Sequence, residues 1–385
     1  MKILVLASHG DSLLNFRGQL LAALVAQGHQ LVVAAPNISD ELEQRLRLLG
    51  ARVRRYPLAR AGSNPRADLV TLASLVRLCA DERPDQLLAY TIKPVVYGLI
   101  AASIALVPRR CALITGLGYA FGAATLGQRL AGAVARLLYR VCLRQAQTVF
   151  FQNPDDRADF IAAGLATAAR SVVVNGSGVD LVHFAASIPP TAPVTFLLIA
   201  RLIRDKGIGE YAAAARLLRK SHPGARWLLA GPGDPNPGGV PPGELQAWRD
   251  EGAIDYLGEL ADVRQALARC SVYVLPSYYR EGTPRTVLEA LACGRPVITT
   301  DMPGCRETVA DGVNGLLVPP RDVQALTAAM ATFLTAPGLI PRMGAESRAL
   351  AERRYDVHAV NRHMLAVMRL VEEPGECHGR NASGH

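Results

Sequence analysis

Residues 1–36, MKILVLASHGDSLLNFRGQLLAALVAQGHQLVVAAP, decide the fold class. KILVLAS (2–8) is a short apolar run without alternation, and it ends in the polar loop HGDSLLN (9–15). Over 16–27 the apolar residues recur at helical spacing, and Gly28 stops them. LVVAAP (31–36) is a second unalternating apolar run. A strand buried on both faces reads as a continuous hydrophobic stretch. Strand, loop, helix and strand in this order therefore open a parallel sheet with helices on its faces.

The alternation continues down the chain. Helices are predicted over 41–49, 65–80, 95–106 and 127–147, and strands over 51–57, 86–90, 110–115 and 148–152. The segment 181–193 holds IPPTAP, which ends any regular element and marks a linker. The pattern then restarts with a strand at 194–200, a helix at 209–220 and a strand at 225–231. Further strands are predicted at 254–258, 272–277, 296–300 and 315–319, and a last helix at 357–371. The expectation is an α/β protein of two Rossmann-like doubly wound domains facing across a cleft. The first covers 1–185 and the second 186–355, with a helix at 356–371 crossing back to the first and a disordered tail at 372–385. In such sheets ligands bind beyond the carboxyl ends of the strands, so the loops after strands are where chemistry is sought.

At about 150 residues per domain, 385 residues make two to three domains. Half the residues are hydrophobic and 19% are charged, which excludes a disordered chain. Seven scattered Cys, with no Cys-x-x-Cys and no Cys/His pairing at ligand spacing, fit a reducing cytoplasm and no structural metal. The start at Met1 has no basic region or cleavage site of a signal peptide. The longest uncharged apolar stretch, 95–107, is shorter than the roughly 20 residues a bilayer crossing needs. The net charge of +9 is uneven. Residues 1–190 hold 20 Lys+Arg against 12 Asp+Glu, and residues 191–385 hold 22 against 21. The first half therefore faces something anionic: a nucleic acid, a phosphorylated substrate or a membrane surface. Aromatics at 5% and the lack of a recognition motif speak against nucleic acid.

Three loops stand out. After the strand at 194–200 comes Arg201-Leu-Ile-Arg-Asp-Lys206-Gly207. Arg201 can fork onto phosphate oxygens, Lys206 is a point charge, and the following helix N-terminus attracts anions. After the strand at 225–231 comes Gly231-Pro-Gly-Asp234, whose glycines permit close backbone approach. No Walker A sequence appears, and no Gly-x-Gly-x-x-Gly follows the first strand. The densest stretch is Pro276-Ser-Tyr-Tyr-Arg-Glu281-Gly-Thr-Pro-Arg285-Thr-Val-Leu-Glu289-Ala-Leu-Ala-Cys-Gly294. Pro284 suits the first turn of a helix that Gly294 caps, and its free N–H groups near Thr283, Arg285 and Thr286 can meet a phosphate. Glu281 before the helix and Glu289 about two turns into it can bind separate hydroxyl-bearing parts of one ligand.

EGTPRTVLE (281–289) resembles the Glu-x7-Glu signature of retaining GT-B glycosyltransferases of family 4. Arg201 and Lys206 stand where that family places its diphosphate-binding Arg and Lys. Also similar are Asn175-Gly-Ser-Gly-Val-Asp180-x3-Phe184, DVRQALARCSVYVLPS (262–277) and GRPVITTDMPGCRETVADGVNGLLV (294–318). NFRGQLLAALVAQGH (15–29), TIKP (91–94) and ITGLGYAF (114–121) look like the bacterial subgroup that extends polyprenyl-diphosphate-linked glycans. The resemblance implies a nucleotide-diphosphate sugar, most often a UDP-sugar, as co-substrate on the second domain, with no separate cofactor. Arg201, Lys206 and Glu281 become the catalytic candidates: the first two stabilise the leaving diphosphate, and Glu281 binds sugar hydroxyls. Gly282, Thr283, Pro284 and Arg285 meet the diphosphate and sugar, and Glu289 the ribose. Residues Gly231–Asp234 and Glu259–Val263 border the base, Gly231, Asp234, Leu260 and Val263 chief among them. Candidate substrate-binding residues of the first domain are Asn15, Arg17, Lys93, Gly116, Gly118 and Tyr119. No Asp-x-Asp is present, so a metal-held diphosphate is not implied. Many family members carry a His after the fourth or fifth strand, whereas this chain has Ile114-Thr115-Gly116-Leu117-Gly118. His9 and Asp11, in the first loop, are expected on the acceptor side rather than as bases.

The predicted helix at 127–147 carries Arg129, Arg136, Arg140 and Arg144 on one side, with Leu130, Val134, Leu137, Leu138, Val141 and Leu143 around much of the rest. A basic amphipathic helix can lie on an anionic membrane surface. The expectation is a cytoplasmic enzyme held at the inner face of the membrane, whose first domain binds a polyprenyl-diphosphate glycan. A transferase with a soluble acceptor, or a UDP-sugar 2-epimerase on the same fold, is the other reading. Glu-x7-Glu with Arg201 and Lys206 favours transfer over epimerisation.

Overall fold

Short runs such as KILVL and QLVVA lie flat in sheet centres because both of their faces are covered by helices. The computed structural model describes residues 1–59, 64–116, 126–236 and 238–370, the side chains of 126–131 excepted. Gly118, Tyr119, the Arg129 and Leu130 side chains and the tail 372–385 lie outside the described residues.

The first sheet holds β1 (Lys2–Leu6), β2 (Gln30–Ala34), β3 (Ala51–Arg54), β4 (Gln86–Tyr90), β5 (Arg109–Ile114), β6 (Thr148–Phe151) and β7 (Ser171–Val173). Its helices are α1 (Asp11–Asn15), α2 (Gly18–Ala26), α3 (Asp40–Leu48), α4 (Pro65–Glu82), α5 (Ile92–Ile104), α6 (Leu126–Leu143) and α7 (Pro154–Ala162). The second sheet holds β8 (Thr195–Ile199), β9 (Arg226–Ala230), β10 (Asp255–Tyr256), β11 (Val272–Leu275), β12 (Val297–Thr300) and β13 (Gly315–Val318). Its helices are α8 (Ile208–Leu218), α9 (Pro242–Asp250), α10 (Arg264–Ala268), α11 (Arg285–Ala292), α12 (Val323–Thr335) and α13 (Leu339–Leu350), followed by α14 (Val357–Val367). Strand orders are β3-β2-β1-β4-β5-β6-β7 and β10-β9-β8-β11-β12-β13, with every pair parallel. Order reverses between β1 and β4 and between β8 and β11, and a crevice opens at the carboxyl ends at each such point.

Side-chain caps start many of the helices. Ser39, Asn64, Asn153 and Asp322 each accept a backbone N–H of the first turn, and Pro65 and Pro154 fill first helical positions. The helix predicted over 16–27 is broken. α1 ends at Asn15, Phe16 and Arg17 form a turn, and α2 starts at Gly18. The break turns the Arg17 side chain inward, leaving it 3% exposed. α5 begins two residues before Pro94, because a proline costs no hydrogen bond in the first turn. β7 was not anticipated: its three residues pair with β6 at the sheet edge, too short for a periodic signal.

Packing changes over before the IPPTAP segment. Val179 and Phe184 already lie in the second core with Leu197, Tyr273 and Leu288. Arg295, wholly buried, donates to the Ser187 carbonyl at 2.6 Å and to the Ser187 hydroxyl at 2.6 Å, fastening the linker to the second domain. After α13, Met364, Leu365 and Met368 of the last helical segment pack with Leu20, Leu21 and Leu24 of α2. The Leu370 carbonyl lies 3.0 Å from His29 Nε2.

The domains also meet through polar ties. Arg280 bonds Asp159 at 2.7 Å and Asp156 at 3.2 Å, and Arg306 bonds Asp155 at 3.0 Å. Burial pushes the Asp156 carboxyl up to about 6, against Asn153 and Arg280, which favour the ion. A carboxyl whose folded pKa is raised stabilises the fold below its unfolded value of about 3.9, and this stability is lost as pH rises through the folded value. The wild-type chain is therefore expected to gain stability relative to Asp156→Asn as pH falls from 7 to 4.5. Thermal melting of both proteins checks this, and a gap that stays flat or moves the other way refutes it.

Candidate active site

β8 ends at Ile199 and releases Arg201, and a 3-10 turn over Arg204–Lys206 leads into α8. Gly207 ends that turn at φ 74°, where a Cβ would run into the Pro276 carbonyl, so the backbone approach needs glycine. The Asp205 carbonyl accepts from the backbone N–H groups of Tyr278 and Tyr279 at 2.8 and 3.0 Å. This splices the loop after β8 to the loop after β11. The splice brings Lys206 Nζ onto the Glu281 carboxylate as an ion pair, with the side chains only 13% and 12% exposed. Ser277 Oγ donates to Glu281 Oε1 at 3.1 Å, and Lys206 Nζ lies 5.5 Å from the centre of the Tyr279 ring. Arg201 bonds Asp234 at 2.9 Å. The Asn236 N–H groups and Arg201 hold the Asp234 carboxyl below its usual range, the Asn236 backbone N–H contributing most.

Pro284 stands just ahead of α11 rather than inside it, and Gly294 follows the helix at φ 75°. Arg285 Nε donates to Glu289 Oε1 at 2.8 Å. Glu289 is buried, and burial raises its pKa while Arg285 opposes the rise.

The first domain supplies the opposite wall from the ends of its strands. Ser8, His9, Asp11, Ser12, Asn15, Phe16 and Arg17 follow β1; Tyr90 and Thr91 come from β4, Thr115 from β5 and Gln152 from β6. With Ser177, Arg201, Glu259, Tyr279 and residues 281–285 they line a cavity of about 630 Å³. His9 Nδ1 is 3.3 Å from Asp11, and the Ser12 and Tyr90 hydroxyls are 2.8 Å apart. At the base of the wall two backbones touch. Gly116, at φ 115°, could carry no Cβ without meeting Gly282 N at 2.7 Å. Asn153 Nδ2 donates to the carbonyls of Glu281 at 3.1 Å and Gly282 at 2.9 Å, and Thr283 Oγ1 donates to the Gln152 carbonyl at 2.8 Å.

The sequence-derived candidates divide accordingly. His9, Asp11, Asn15, Arg17, Arg201, Glu281, Gly282, Thr283, Pro284 and Arg285 share the cavity. Lys206, Glu289 and Asp234 are tied to cavity residues, while Gly231 precedes the Asp234 turn and bonds Gly258 through its N–H at 2.8 Å. Lys93 is not among the residues lining the cavity; α5 packs beside α4, and its ammonium pairs with Asp68 at 2.9 Å. Leu260 and Val263 pack on the second core, and Glu259 is the residue of that stretch on the cavity wall. Tyr90, Thr91, Gln152 and Asn153 were missed. Each sits at a strand's carboxyl end, the place the fold class itself singles out, and Thr91 holds the left-handed φ of 67°.

Residues 16–176 match the family "Glycosyl transferase 4-like domain", and residues 193–336 match "Glycosyl transferases group 1". The chain is 29% identical to the N,N'-diacetylbacillosaminyl-diphospho-undecaprenol alpha-1,3-N-acetylgalactosaminyltransferase of Campylobacter jejuni, over 87% of this chain and 89% of that one. It is 32% identical to a Mycobacterium tuberculosis glycogen synthase over 54% of this chain and 49% of the relative. Among solved structures, Anabaena Alr3699/HepE in complex with UDP and glucose superposes at TM-score 0.75 with 22% identity, covering 96% of this chain and 100% of that one. The sucrose-phosphate synthase of Thermosynechococcus elongatus superposes at 0.78 with 20% identity, covering 96% and 98%. Two parallel α/β domains, a cleft built from their strand ends and these matches together make the chain a GT-B glycosyltransferase of the group 1 and 4-like family.

Proposed function

We propose that this chain is a retaining glycosyltransferase. It moves a sugar from a UDP-hexose or UDP-N-acetylhexosamine to a membrane-bound polyprenyl-diphosphate-linked glycan, in surface polysaccharide or glycoprotein glycan assembly. The observation that carries the reading is the Lys206–Glu281 pair set beside Arg201 and the N-terminus of α11 in one cleft. When an anomeric carbon loses its diphosphate, positive charge grows on the ring and negative charge on the leaving group. Arg201 and the α11 N–H groups are fixed where that negative charge grows, and fixed donors stabilise a transition state without reorganising. Lys206 has three ammonium protons; one meets Glu281 and the others serve the diphosphate. Lys206 and Ser277 both use Glu281 Oε1, leaving Oε2 to accept from sugar hydroxyls. Glu289, buried beside Arg285, serves the ribose. With no base at the His position of the family, the departing phosphate oxygen takes the acceptor proton on the same face. The UDP complexes of the Anabaena protein and the undecaprenol named for the Campylobacter relative support donor and acceptor.

Glu281→Gln keeps the volume and removes the charge. Its turnover with a UDP-sugar is expected to fall at least about 100-fold, the scale on which charge-stabilising groups act. Full turnover in a folded variant refutes the assignment. A thermal-shift screen against UDP-, GDP- and ADP-sugars names the base, and stabilisation by GDP- or ADP-sugars alone refutes UDP.

No single helix among the described residues is long and apolar enough to cross a membrane. α6 is suited to lying on one. Val134, Leu137 and Val141 are 51%, 60% and 48% exposed, and Arg136, Arg140 and Arg144 are exposed beside them. At about 100° per residue the apolar three span about 60° and the arginines the adjoining 80° or so. Leu138 and Leu143 turn toward the core instead. Each arginine adds about 1 kcal/mol on an acidic leaflet, enough for reversible docking at the inner face of the cell membrane. Changing Arg136, Arg140 and Arg144 to Glu is expected to release the protein from phosphatidylglycerol vesicles in cosedimentation, and unchanged sedimentation refutes the docking surface.

A further inference from the structure

Among the described residues, each buried charged side chain other than Arg17 has at least one ion-pair or hydrogen-bond partner. Glu82, 1% exposed, bonds Arg54 at 2.6 Å and has Arg52 and Lys2 beside it. Arg295 donates to the carbonyls of Leu267, Cys293 and Ser187. Arg17 departs from this rule. It is 3% exposed and on the cavity wall, its Nε has no hydrogen-bond partner, and no carboxylate pairs with it among the described residues. The guanidinium carbon lies 5.6 Å from the centre of the Tyr90 ring. Burial lowers its pKa to about 10, and the neighbouring Arg285 pushes the same way. Arg285 belongs to the other domain, and its guanidinium carbon lies 5.6 Å from the Phe16 ring, so the Phe16–Arg17 turn brings two like charges to one stretch of wall. Arg285 commits Nε to Glu289. A buried guanidinium without an acceptor, facing a second guanidinium, is costly unless an anion completes it. The planar fork suits phosphate oxygens.

We propose that Arg17, with Arg285 opposite, is a phosphate-binding pair in the cleft, additional to Arg201 and Lys206, and that its ligand is a phosphate or diphosphate ester. The ester comes from the donor or from the acceptor. The inference rests on the glycosyltransfer reading for the identity of these esters, and its test does not need turnover.

The full chain and its Arg17→Gln and Arg285→Gln variants are titrated calorimetrically with UDP, and again with inorganic pyrophosphate after saturation with UDP. An Arg17→Gln Kd for UDP raised tenfold or more assigns the pair to the donor. An unchanged UDP Kd with pyrophosphate binding weakened tenfold or more assigns it to the acceptor diphosphate. Both support the site. Arg17→Gln is also expected to melt no lower than wild type without ligand, because it removes an unpaired buried charge, whereas a structural arginine lowers the melting temperature when lost. If Arg17→Gln does not fold, Arg285→Gln and the more conservative Arg17→Lys carry the same titrations. UDP and pyrophosphate affinities that stay within twofold in these variants overturn the proposal. Loss of pyrophosphate binding in a protein that moves no sugar to a polyprenyl acceptor would leave this site standing and refute the acceptor reading alone.

Discussion

One amide side chain holds the two halves of the site in register. Asn153 caps α7 by accepting the Asp156 N–H at 2.7 Å, and its Nδ2 reaches the Glu281 and Gly282 carbonyls. The loop carrying Glu281 is thus set by the end of β6 in the other domain as much as by its own sheet. Such closeness is possible because Gly116 and Gly282 have no side chains between them. Thr283 adds a hydrogen bond to the Gln152 carbonyl, and Arg280 two ion pairs to α7. The Arg280–Asp159 pair is exposed and such pairs are weak, up to about 1 kcal/mol, so the buried Asn153 and Thr283 contacts, with Asp156 buried beside Arg280, do most to fix the loop.

Electrostatically the cleft is arranged by domain. On the second domain each of three cations at the cleft has an acid beside it: Arg201 with Asp234, Lys206 with Glu281, Arg285 with Glu289. The first domain carries the charge surplus; the exposed stripe of α6 is part of it, and Arg17 is its one buried arginine among the described residues.

Much of the architecture was legible because parallel strands buried on both faces announce themselves as unbroken apolar runs. β1, β4, β8 and β11 fall within the predicted stretches, and so do all but the first residue of α3, α6 and α8. The Arg201–Lys206 and Glu281–Glu289 stretches were legible because glycine, proline and charge cluster after a strand. Short or irregular features were not. β7 has three residues, and the break at Phe16–Arg17 lies inside an amphipathic pattern that continues through it. Motif reading could not foresee that packing of α5 on α4 would give Lys93 a partner in Asp68.

The sequence by itself determined the fold class, the order of its two units and the residue types the second domain brings to the cleft. These follow from local periodicity and from loops whose chemistry is contained within a few residues. Tertiary structure alone decided which strand ends meet. It paired Lys206 with Glu281 across 75 residues and Asn153 with Gly282 across 129, and it turned Arg17 from a solvated charge into a buried one. The physical reason is that hydrogen bonding and burial depend on distance in space, and in parallel sheets every crossover returns residues remote in sequence to one common edge.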